Sequence, residues 1–104
     1  MHLYMEKDTG KLQIEFNNTA AGIYAHLCNK FSESVKLINR NKSENVFKMQ
    51  EAKYISTLKR MLEEAVMTTI EKCDHKESRE QLKGSLTRRI NYYLQEFRLR
   101  ANSM

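Results

Sequence analysis

The sequence predicts a mainly α-helical chain: an up–down–up bundle of three long helices, preceded by an N-terminal β-hairpin. Three observations carry that prediction. The 104 residues hold no proline and three glycines, so helix breakers are scarce. From Ala20 onward apolar residues recur at steps of three and four, the period of a helix with one buried face. Before residue 17 the period is two instead, the signature of a half-buried strand.

The hairpin is expected over residues 1–16. Leu3 and Met5 alternate with Tyr4 and Glu6, and Leu12, Ile14 and Phe16 alternate with Lys11, Gln13 and Glu15. Between the runs lies Lys7-Asp8-Thr9-Gly10, with glycine placed for the positive φ of a tight turn. A lone hairpin is marginal in water, so its apolar face must rest on the helices or on another copy. Asn17-Asn18-Thr19 then supplies short polar side chains suited to capping free N–H groups at a helix start.

The first helix is expected over 19–39, on the stripe Ala20, Ile23, Tyr24, Leu27, Phe31, Val35 and Ile38. A polar connection, Asn39-Arg40-Asn41-Lys42, leads to Ser43 as N-cap of a second helix over 44–73. Its steadiest seam is Ile55, Leu58, Leu62, Ala65, Thr69 and Cys73, widened by Tyr54 and Met61 and extended backward by Val46, Phe47 and Met49. A face that wide can meet two neighbours, as a middle helix must. Asp74-His75-Lys76 breaks the pattern, and a third helix follows over 77–101 with Leu82, Leu86, Ile90, Tyr93, Leu94 and Phe97 inward. Short links between long helices predict the shallow crossing angles of a bundle. The whole length, 1–104, fits one domain.

Composition narrows the function classes. The net charge is +5, from 18 basic and 13 acidic residues, and the excess lies late in the chain. Five of the seven arginines follow His75: Arg79, Arg88, Arg89, Arg98 and Arg100. No stretch approaches the roughly 18 apolar residues of a membrane span, and Met1–Asp8 has no apolar signal-peptide core. Two cysteines in such a chain read as reduced thiols, and the expected compartment is the cytoplasm.

Catalytic and metal sites find little support. His26, Cys28, Cys73 and His75 form a zinc inventory in composition alone. Residues two apart on a helix diverge by about 200°, so His26 and Cys28 do not converge on one ion. Counted outward from the first turn, Cys28 and Cys73 differ in level by roughly 28 Å. That distance also excludes a disulfide, which needs Cα atoms within about 7 Å. Cys73 as a nucleophile beside His75 would sit at a helix C-terminus, where the dipole opposes a thiolate. The pairs Glu63-Glu64 and Glu77/Glu80 read as surface charges near Lys59, Arg60 and Lys83. No catalytic residue, metal, cofactor or small-molecule substrate is expected.

The expected function is therefore a non-enzymatic interaction module that binds a protein partner or a second copy of itself. On a wheel of the third helix, Gln81, Arg88, Tyr92 and Leu99 cluster within about 40° on the side away from the core stripe. Tyr, Leu and Arg together outside a core suit a contact surface. A symmetric homodimer would suit a bundle with a small core. The alternative is a nucleic-acid-binding regulator using Arg79, Lys83, Arg88, Arg89, Arg98 and Arg100. Against it, these cations ring the helix instead of forming the single stripe that a groove-reading helix concentrates.

Overall fold

The computed structural model describes the backbone of residues 2–38 and 44–103, and the side chains of 9–38 and 44–103. It contains three helices: α1 (His2–Val35), α2 (Glu44–Glu71) and α3 (Lys76–Asn102). Together they form a rod with extents of 61 × 18 × 17 Å. The expected connection Asn39–Lys42 and the expected N-cap Ser43 lie outside the described residues.

The N-terminal hairpin is overturned. Residues 2–35 form one continuous helix, and no strand occurs among the described residues. Gly10 lies inside that helix without positive φ, and Asn17-Asn18-Thr19 sits mid-helix instead of capping a start. The reason is a degeneracy of spacing. Leu12 and Phe16 are two alternation steps apart and also one helical turn apart, so the pair satisfies either period. What decides is the continuation: Leu12, Phe16 and Ala20, each four residues from the next, are all buried. Ile14, the residue that made the alternation look complete, is 61% exposed on the opposite side. The extra turns of α1 cover the far end of α2, and Glu15 Oε2 stands 3.6 Å from Lys72 Nζ there.

The core is assembled from one face of each helix. Leu12, Phe16, Ala20, Leu27 and Phe31 come from α1, and Phe47, Leu58, Leu62, Val66 and Ile70 come from α2. From α3 come the six expected residues, Leu82, Leu86, Ile90, Tyr93, Leu94 and Phe97, together with Ala101. The start of α2 departs from expectation. Phe47 is buried, but Val46 and Met49 face outward, because the seam runs Phe47, Glu51, Tyr54, Leu58 and its neighbours at 46 and 49 diverge from it by about 100–200°. Glu51 thus occupies a core-side position, and its carboxylate reaches Lys48 Nζ at 3.7 Å.

At one level of the rod the aromatic rings converge. The Phe31 ring lies 5.6 Å from Phe47 and 5.6 Å from Tyr54 on α2, and 5.4 Å from Phe97 on α3. Tyr24, two turns earlier on α1, meets Tyr93 at 5.2 Å and Phe97 at 6.5 Å. At the other end, the α2–α3 turn is closed by the Lys72 and Cys73 N–H groups donating to the carbonyls of Thr69 and Ile70. Arg79 Nε donates to the Cys73 carbonyl at 2.9 Å, satisfying an acceptor that the end of α2 leaves open. Of the three helix pairs, α1 and α3 meet most sparsely, and open grooves lie on both the α1–α3 and the α2–α3 seams.

This arrangement separates two apolar residues that share one helix. Phe31→Ala should lower unfolding free energy by about 3–5 kcal/mol, as large-to-small aromatic changes in a core do. Ile14→Ala should change it by no more than about 0.5 kcal/mol. Urea or guanidinium unfolding of both variants reads the difference; a loss at Ile14 comparable to that at Phe31 would restore a packed hairpin face.

Candidate functional site

Among the described residues no three His, Cys, Asp or Glu side chains gather to hold a metal ion. Cys28 and Cys73 are both buried free thiols, on α1 and in the α2–α3 turn respectively. The Cys73 thiol points at the His75 backbone carbonyl, 3.7 Å away. Glu63 and Glu64 are exposed, and Glu64 Oε1 accepts from Arg60 Nη1 at 3.1 Å.

The outward face of α3 carries the residues expected for a contact surface. Gln81 and Arg88 are exposed, Tyr92 is 49% exposed and Leu99 57%. They follow one another at steps of seven, four and seven, which keeps them on one side of a helix. Neighbouring contacts hold this face in shape. The Arg89 guanidinium lies 5.1 Å from the Tyr92 ring centroid and 5.8 Å from that of Tyr93, and the two rings meet edge to face at 5.5 Å. Tyr93 is a core residue, so the stack anchors an exposed tyrosine to the interior. Arg88 Nη2 donates to Ser85 Oγ at 3.4 Å.

The six α3 cations of the nucleic-acid reading do not come together. Arg79 is engaged by the α2–α3 turn, and Lys83 borders a groove between α2 and α3, over Val66, Met67 and Ile90. Arg89 and Arg100 instead border the α1–α3 groove, Arg88 faces outward, and Arg98 is exposed. No ion pair among the described residues involves any cation of α3; the pairs formed lie within α2 or join it to α1.

Two depressions mark the α1–α3 groove. One, of 260 Å³, is bordered by Gln13 and Asn17 of α1 and by Ser85, Leu86 and Arg89 of α3. The other, of 320 Å³, is bordered by Tyr24 and by Glu96, Leu99, Arg100 and Ser103. Both lie open to solvent.

Tyr24, Cys28 and Arg100 form a small polar cluster at the second depression. Burial raises the Tyr24 pKa above its ordinary value of 10.0, the neighbouring Cys28 thiol adds to that, and Arg100 opposes it. Arg100 in turn is held more firmly protonated, first by the neighbouring Tyr24 hydroxyl and also by the Cys28 thiol. The one-turn spacing of Tyr24 and Cys28 is visible in the sequence, but the approach of Arg100 depends on the register of α3 against α1. The buried Glu51 of α2 is likewise hidden from the sequence pattern, because a carboxylate carries no apolar signal at a seam position.

No known protein family, curated protein or solved structure matches this chain.

The raised Tyr24 pKa sets a sign for alkaline stability. A proton held more tightly in the folded state contributes stability that is fully present below the unfolded pKa and is lost as pH rises through 10.0 and on through the higher folded value. Tyr24→Phe should therefore flatten the alkaline fall in stability relative to the wild type. Thermal melting of both proteins from neutral pH to above the tyrosine range measures it; identical alkaline slopes would contradict the assignment.

Proposed function

We propose that this chain is a non-enzymatic interaction module that engages a protein partner through the outward face of α3 and the α1–α3 groove beside it. The observation that carries this reading is the exposure of Tyr92 and Leu99 on one face, next to arginines that have no carboxylate partner among the described residues. Scattered surface apolar residues are ordinary. Here they share a helix face with Arg88 and with the Arg89–Tyr92 stack, the residue types enriched where proteins bind one another.

The architecture behind this reading is an up–down–up bundle. It is supported by contacts between Glu15 and Lys72, between Phe31 and Phe47, and between Tyr24 and both Tyr93 and Phe97. Such an order makes α1 and α3 run the same way. The buried free thiols agree with a reducing compartment, and we place the protein in the cytoplasm. Nucleic acid is the second reading, favoured by the unpaired cations of α3; the separation of those cations over several sides of the helix weighs against it.

Tyr92→Ala with Leu99→Ala tests the module directly. Both side chains are about half exposed, so the double variant should keep wild-type folding to within about 1 kcal/mol. It should lose either self-association, read by size exclusion with light scattering, or a partner captured by the wild type from host extract. A Met67→Ala control on α2 should lose neither. A strict monomer whose captured partners are identical in all three proteins would refute the proposal.

A further inference from the structure

The α1–α3 groove has the chemistry of a receptor for an acidic amphipathic helix. Its lining is mixed: the half-buried Tyr24 ring and the exposed Leu99 stand among Glu96, Arg100 and Ser103, and the exposed Tyr92 lies beside them on the same face of α3. Leu99 and Tyr92 stand seven residues apart, about 10 Å along α3, which matches apolar residues two turns apart on a docked helix. Each of the two depressions in the groove is bordered by one arginine, Arg89 in the first and Arg100 in the second. Eleven residues separate them, about 16 Å, or three helical turns.

Charge then selects the occupant. Arg88, Arg89 and Arg100 border this surface, Glu96 is the opposing charge of α3 within it, and none of the three arginines forms an ion pair among the described residues. A symmetric dimer through this face would bring together two copies of one net-positive patch, Arg88, Arg89 and Arg100 against Glu96, since an isologous interface uses the same patch on both sides. Like charges brought together across an interface are unfavourable, whereas a complementary potential speeds encounter and fixes register. Nucleic acid would supply negative charge but would leave Leu99 and Tyr92 without an apolar counterpart. A helix would meet both demands: its apolar residues cover Tyr92, Leu99 and Tyr24, and its carboxylates reach Arg89 and Arg100.

From this juxtaposition we infer that the α1–α3 groove binds an acidic amphipathic helix of another protein, which lies along α3 with carboxylates about three turns apart seated against Arg89 and Arg100. The inference rests on the interaction-module reading and names the partner chemistry of the same surface.

The test uses the full chain and a fluorescent helical peptide with Glu at two positions eleven residues apart and Leu on the same face between them. The peptide should bind, and binding should weaken as salt screens the arginines. Reversal by Arg89→Glu with Arg100→Glu should weaken it roughly tenfold or more, and the neutral pair Arg89→Gln with Arg100→Gln by a smaller factor in the same direction. Reversal of Lys59 and Lys83 on the α2–α3 side should change affinity less than about twofold. Circular dichroism melting of every variant separates lost binding from lost folding, and the neutral pair serves if the reversal does not fold.

No binding of the acidic peptide, equal binding of its Glu→Lys counterpart, or equal loss from the Lys59/Lys83 reversal would overturn the inference. Preferential binding of a short duplex DNA would overturn it in favour of nucleic acid. If the peptide fails while Tyr92→Ala with Leu99→Ala still abolishes a wild-type interaction, the inference falls alone. If that double variant also changes nothing, the module reading falls with it.

Discussion

The structure depends on the place where Phe31 of α1 meets Phe47 and Tyr54 of α2 and Phe97 of α3. Three long amphipathic helices can slide past one another with little change in buried apolar area. A ring that packs edge to face against two others and tilted against a third tolerates far less slippage, because such aromatic pairs contribute about 0.5–1.5 kcal/mol each beyond area burial. Phe31 and Phe97 are buried almost completely, so their packing also fixes the levels of the helices on either side. Tyr24 and Tyr93 pair beside this node, and Tyr92, Arg89, Leu99 and Arg100 take their places within two turns of it on α3.

That constraint explains which parts of the molecule were legible in the sequence. All six inward residues expected for α3 are buried, since a helix with one neighbourly face shows its period cleanly. The expected third helix, 77–101, differs from α3 by one residue at each end, and the expected second helix overruns α2 by two. The N-terminus was misread because Leu12 and Phe16 fit two periods at once, and the exposed Ile14 completed a false alternation. Val46 and Met49 were misplaced for a related reason: apolar character alone does not tell a seam from its flank when Glu51 interrupts the seam. The face bearing Gln81, Arg88, Tyr92 and Leu99 followed from a single helical wheel. The Arg100–Tyr24–Cys28 cluster did not, because it joins residues about 75 positions apart whose approach depends on tertiary register.

The same register shapes the functional proposal. The interior is filled by side chains, and the open space lies on outer seams, between α2 and α3 and between α1 and α3. Arginines end up beside tyrosine rings and shallow depressions instead of opposite carboxylates. Such a cation keeps its charge available to a partner, whereas a charge already paired on its own surface contributes little more on binding. The proposed contact surface is thus a consequence of how the core closes, and its spacing is inherited from the alignment of α3 on α1.

The most direct test of this account is a double-mutant cycle between Phe31 and Phe97, with Phe31→Leu, Phe97→Leu and the double variant compared by chemical unfolding. Packing of these rings across α1 and α3 predicts a coupling energy of about 0.5–1.5 kcal/mol. Strictly additive effects would contradict it, and with it the register that brings Arg89 and Arg100 to the α1–α3 groove.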